Sequence, residues 1–140
     1  MNEKSQVKGL CHPRLASSQI LSLISLQIPK ATRELISEAL FDVLIRVRPV
    51  TDAPSEYAEF EILLSACLTI RIADAGFLCY DAQLAAVDVG PVFEVVNSDW
   101  FEQVCASSAE AQYFSSVRHF VVVTSRIVLE VLVTQDPVIV

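Results

Sequence analysis

The stretch Glu59–Ile72, EFEILLSACLTIRI, decides the fold. Phe60, Ile62, Leu64, Ala66, Leu68, Ile70 and Ile72 fall on one face of an extended chain. Glu59, Glu61, Leu63, Ser65, Cys67, Thr69 and Arg71 fall on the other. Side chains of a strand alternate between faces, so the pattern predicts one long strand with a single face in the core.

Upstream, Asp52, Pro54 and Ser55 mark a loop over 51–56. Before it, Phe41, Val43, Ile45 and Val47 alternate with Asp42, Leu44, Arg46 and Arg48, a strand running to Pro49. Leu35, Ile36, Ala39, Leu40 and Val43 recur at three and four residues, which predicts a short amphipathic helix over 31–40. Ile20–Ile28 is apolar enough for a first strand from Leu21, stopped by Pro29. Met1–Ser18 has charge and no period, and is read as a flexible arm.

Downstream, Gly76 supplies a turn after Asp74, extended chain resumes over Phe77–Tyr80, and Asp81–Val87 is read as strand. Gly90-Pro91 turns the chain into a strand over Val92–Val96. Ser98 or Asp99, with Glu102 at capping-box spacing, opens a helix over 98–112 whose buried stripe is Phe101, Val104, Cys105, Ser108 and Ala109. A hairpin follows, with Phe120, Val122 and Thr124 on one arm and Ile127, Leu129, Val131 and Val133 on the other. Val138–Val140 is read as a last strand or as the end of a shortened chain. The expected fold is one α+β domain over 19–140. Its mostly antiparallel, strongly twisted sheet has six or seven strands, with a main helix at 98–112 and a short one at 31–40.

The chain is 53% hydrophobic and 19% charged, against about 45–50% and about 25% in ordinary globular domains. Disorder over the bulk of the chain is excluded, and the excess points to a sheet buried on both faces or to a subunit interface. A net charge of −7 repels nucleic acid and anionic membranes and suits a basic protein partner. No segment reaches the roughly 20 apolar residues of a membrane helix. The polar start is no secretory signal, so a cytoplasmic address is the default. The four cysteines are separated by 56, 12 and 26 residues, without zinc-type pairing. Cys67, Cys79 and Cys105 lie in apolar surroundings, as core thiols in a reducing compartment do.

His119 is the histidine of the predicted core region, and Glu130 can face it across the hairpin. A base of that kind needs a nucleophile or an orienting carboxylate nearby. Cys105, two turns past a helix start, is the weak candidate nucleophile, although helix N-termini act on thiols only within the first turn. A strand histidine paired with a cross-strand glutamate is the simpler reading. Cys11-His12 lacks two further metal ligands. Asp74, Asp81 and Asp88, with Glu59, Glu61 and Glu94, read as an acidic rim. Arg46, Arg48 and Arg71 read as cross-strand partners of Glu59 and Glu61. There is no GxGxxG, P-loop, HExxH or CxxC, so no cofactor or metal is expected.

Size and acidity give the chain a general look shared by small bacterial immunity proteins and oligomeric binding modules, an analogy that does not fix function. The expected function is a non-enzymatic, acidic protein-interaction module that self-associates through Leu63, Cys67, Val121, Val123 and Trp100. The alternatives are a small hydrolase centred on His119 with Glu130 or Cys105, or an immunity-protein-like binder of a basic partner. Low charge and apolar outer faces predict a homodimer or larger. Light scattering behind a sizing column should give at least twice the 15.4 kDa chain mass. A sharp monomer peak that persists as concentration rises would refute it.

Overall fold

Alternating apolar residues carry most of the chain into antiparallel strands, seen in a computed structural model that describes residues 6–10, 15, 20–28, 41–50, 59–74, 89–107 and 117–140. In chain order these are β1 (Gln6–Gly9), β2 (Leu21–Gln27), β3 (Phe41–Pro49), β4 (Phe60–Asp74), β5 (Val92–Val96), the helix α1 (Asp99–Ser107), β6 (Arg118–Val123), β7 (Ile127–Val133) and β8 (Val138–Ile139). Among the described residues the sheet has eight strands in the order β1-β5-β6-β7-β4-β3-β2, with β8 on β4.

β4 serves two neighbourhoods. Its first half pairs with β3, from Val47↔Phe60 to Phe41↔Cys67. Its second half pairs with β7, from Cys67↔Val133 to Asp74↔Ile127, while β8 lies beside Ile62 and Leu63. Each ladder contains a slip near the changeover, between Phe41 and Val43 on one side and between Cys67 and Thr69 on the other. Both give β4 one residue more than its partner, the signature of a bulge. Ala66 sits there at φ 55, a left-handed conformation that costs a residue with a Cβ about 1–3 kcal/mol.

Hydrogen bonds from outside the ladder hold that bend. The Ala66 N–H donates to Asp42 Oδ1 at 3.0 Å. Its carbonyl accepts from the Thr134 N–H at 3.2 Å and from Thr134 Oγ1 at 3.3 Å. The two slips cancel in parity. Phe60, Ile62 and Leu64 share the core with Ile70, as simple alternation predicts, but Cys67 turns inward with them.

The sheet curls around one interior. Val43, Ile45, Val47 and Ile62 from the β3–β4 side pack with Phe120, Val122, Leu129 and Val131 from the hairpin side. The Ser125 N–H in the β6–β7 turn donates to the Leu21 carbonyl at 2.8 Å, joining β2 to the hairpin. On the opposite face Phe93, Val121 and Val128 form a smaller cluster with Val89, Val95 and Val123 at its margin. The N-terminal turn of α1 reaches that same face, where Trp100 meets His119.

Three expectations need correction. The described sheet has eight strands where six or seven were expected, and β1 comes from the stretch read as an arm, where four residues were too few to show a period. Among the described residues there is one helix, not two, and it begins at Asp99 with Ser98 as its cap. Residues 31–40, read as the short helix, lie outside the described residues, as do 51–58, 75–88 and 108–116.

Because Asp42 holds an amide at the bend, Asp42→Ala should destabilise the fold by about 1–3 kcal/mol, the cost of an unsatisfied buried donor. Asp42→Asn, which keeps an acceptor oxygen, should recover most of this. Urea unfolding midpoints of the two variants measure the difference.

Candidate active site

β5 ends at Val96, Asn97 turns the chain at φ 60, and Ser98 follows at the head of α1. Asparagine tolerates the left-handed region better than other residues with a Cβ. The result is a strand–turn–helix connection with a serine at its apex. Ser98 Oγ accepts from the Phe101 N–H at 3.1 Å and so caps the helix. The same oxygen lies 2.7 Å from His119 Nδ1.

His119 is on β6 and only 4% exposed. In the β6–β7 register it stands opposite Leu132, and Val121 opposite Glu130, so His119 and Glu130 are diagonal neighbours on one face. His119 Nε2 lies 3.0 Å from Glu130 Oε1. On the far side Arg71 is directly opposite Glu130 in the β4–β7 register, and Arg71 Nε donates to Glu130 Oε2 at 2.5 Å. The Arg71 guanidinium lies 4.2 Å from the centre of the Trp100 ring. Trp100 meets the His119 ring edge to face, with centroids 5.1 Å apart.

Burial raises the Glu130 carboxyl, but hydrogen bonds from His119 and Arg71, and the charges on both, outweigh it and bring it down to about 2. An ionised Glu130 can only accept, so Nε2 of His119 carries the ring proton. When the ring is neutral, Nδ1 is left as the acceptor for the Ser98 hydroxyl. Serine, imidazole and carboxylate are thereby linked in the order that acyl-transfer enzymes use, with the two ring nitrogens exchanged relative to the Ser-His-Asp template, where Nε2 faces the serine. No buried side-chain nitrogen or oxygen among the described residues lacks a partner.

A pocket of about 260 Å³ opens beside this chain of bonds. Ser98 and His119 line it with the apolar Val95, Val96, Phe101 and Val117, and with Glu94, Asn97, Glu102 and Arg118. The Arg118 fork is engaged by Glu94 at 3.0 and 2.8 Å and by Asp136, and its guanidinium lies over the Phe120 ring. The hydrogen bonds and charge of Arg118 lower the Glu94 carboxyl, against the effect of its partial burial.

The fold brings together His119 and Glu130. It does not bring Cys105 to them: this partly buried residue of α1 makes no hydrogen bond to either. Cys67 is buried in the core, donating to the Leu64 carbonyl at 3.3 Å. Burial and the charge of Asp42 push its thiol up to about 12, despite a backbone hydrogen bond from Val43. Of the other surface candidates, Val121 is buried, and Leu63 and Val123 are partly buried. Trp100 is partly buried between His119 and Arg71. Arg46 and Arg48 pair with Glu61 and Glu59, whereas Arg71 goes to Glu130. Cys11, His12, Cys79, Asp81 and Asp88 lie outside the described residues.

The linked Ser98, His119 and Glu130 overturn the expectation of a non-enzymatic interaction module and favour the hydrolase alternative. Sequence reasoning missed Ser98, which reads as a helix cap without the flanking glycines of a G-x-S-x-G elbow. The available signal was a serine between a strand and a helix, with a histidine and a glutamate on one hairpin face. Among the described residues no three metal-ligating side chains gather, and no helix is long and apolar enough to cross a membrane. No family model, curated protein or solved structure matches the chain.

Glu130 is held well below its ordinary value of 4.5, so it stabilises the folded chain above about pH 4.5 and loses that contribution as pH falls towards 2. The stability gap between wild type and Glu130→Gln should be largest above pH 5, up to about 3 kcal/mol, and should narrow with acid. Urea midpoints measured across that range test it.

Proposed function

We propose that this chain is a small serine hydrolase acting on uncharged carboxylic esters. The observation that carries the reading is the unbroken path from Ser98 Oγ through both His119 nitrogens to the Glu130 carboxylate. As Ser98 Oγ attacks the ester carbonyl carbon, its proton passes to His119 Nδ1. The imidazolium formed is stabilised by Glu130.

The carbonyl oxygen becomes an oxyanion. The amides of Asp99 and Trp100, in the first turn of α1, have no intrahelical acceptor and stand at the positive end of the helix. They are the donors closest in sequence to the nucleophile and are assigned to that oxyanion. Collapse of the intermediate expels the alcohol, which takes the proton from Nδ1. Water then attacks the acyl-enzyme with His119 as base, releasing the carboxylic acid and restoring Ser98.

Substrate class follows from the pocket lining. Val95, Val96, Phe101 and Val117 suit an apolar acyl group, and the lining carboxylates Glu94 and Glu102 disfavour an anionic one. Arg118 offers little compensation because its fork is already held by Glu94 and Asp136. The free thiols Cys67 and Cys105 fit a cytoplasmic setting.

A second reading has its own observation. The Phe101 N–H bond makes Ser98 a helix cap, and the same network could serve only to dock α1 on the sheet. Ser98→Asp separates the two, since aspartate caps as well as serine but is no acyl acceptor in this cycle. The hydrolase reading expects turnover of a neutral butyrate ester, exceeding that of its succinate analogue. It also expects loss of turnover in Ser98→Ala and Ser98→Asp, the latter with a retained melting temperature. A fluorophosphonate should add its mass to the Ser98 peptide of wild type only. Unlabelled Ser98 with no turnover would leave the docking reading.

A further inference from the structure

The carboxylate of Glu130 has two oxygens, and the fold assigns each a different task. Oε1 faces His119 Nε2 at 3.0 Å, and Oε2 accepts from Arg71 Nε at 2.5 Å. Arg71 is itself held over Trp100 at 4.2 Å, and Trp100 abuts the His119 ring at 72°. The contacts close a ring: His119 to Glu130, Glu130 to Arg71, Arg71 to Trp100, and Trp100 back to His119.

We infer that Arg71 and Trp100 are positioning residues that fix the His119 ring with Nδ1 towards Ser98, an inference that rests on the hydrolase reading for its kinetic consequence alone. A carboxylate bound only through Oε1 could rotate about its side chain and let the imidazole follow. With Oε2 pinned by an arginine from the neighbouring strand, the carboxylate plane is fixed from both sides. The indole ring then limits how far the imidazole can swing. The Arg71 side chain is 51% exposed while that of Glu130 is 18% exposed. The arginine therefore reaches the carboxylate from the solvent side without needing to be buried.

Neither Arg71 nor Trp100 lines the pocket beside Ser98. Their loss should therefore act on the chemical step and leave substrate binding alone. Misplacing a catalytic group by about 1 Å costs on the order of 100-fold, which sets the scale.

The test uses the full chain and the variants Arg71→Met, Arg71→Lys and Trp100→Phe, each first checked for an unchanged far-UV spectrum. Two readouts are taken. The first is kcat and KM on a neutral butyrate ester. For Arg71→Met, kcat should fall on the order of 10- to 100-fold with KM unchanged, and Arg71→Lys should recover only part because it restores charge without the planar fork. The second is the nitrogen NMR spectrum of His119, read near pH 8. Wild type should show the proton on Nε2, and Arg71→Met should show a mixture of tautomers. Trp100→Phe should give a smaller change of the same kind.

The NMR readout needs no activity, so it decides the positioning role even if no ester is turned over. A single Nε2–H tautomer retained in both Arg71→Met and Trp100→Phe would overturn the inference. So would an unchanged kcat in a chain whose Ser98 variants are inactive. If Arg71→Met does not fold, Arg71→Lys and Trp100→Phe carry the same two outcomes.

Discussion

Everything in this molecule depends on β4 changing partners at Ala66–Cys67. Before that point the strand belongs to the β2–β3 side; after it, the strand forms the wall on which β7 and the hairpin are built. A straight strand of this length could not face both neighbourhoods around one interior. The left-handed turn at Ala66, held by Asp42 and Thr134, supplies the bend. Its cost is offset by the core that the curl encloses, because Cys67 and the residues around it are then withdrawn from water.

The candidate site is a by-product of the same geometry. Arg71 lies on the far arm of β4, where only the pairing with β7 brings it opposite Glu130. The hairpin register places His119 on the diagonal from that carboxylate. The strand–turn–helix connection after β5 delivers Ser98 to the remaining ring nitrogen. Four separated stretches of sequence therefore meet because three ladders are in register. A one-residue slip in any of them would send a member of the set to the other face.

How much of this was legible beforehand differs element by element. The alternation in β3 and in the first part of β4 is strong because one face of each is in the core, whereas β6 and β7 are largely buried on both faces and read as near-continuous apolar runs. β1 left no such trace, being four residues long. The bulge was hidden because its two slips cancel, so apolar parity reads correctly on both sides while Cys67 is misassigned to the outer face. His119 and Glu130 could be placed on neighbouring strands of one hairpin. Ser98 could not be joined to them, since its approach depends on how α1 lies on the sheet, and periodicity carries no information about that. Arg71 was assigned to the wrong glutamates for a similar reason: strand order is not written in any single strand.

Trp100 is the sole tryptophan of the chain, and it is wedged between a guanidinium and the His119 imidazole. The molecule thus carries an intrinsic optical reporter at the one place where proton transfer is proposed. An indole beside an imidazole changes its emission when the imidazole gains a proton, because the imidazolium is the better quencher. Its emission therefore reports on the Arg71–Trp100–His119 contact without label or substrate.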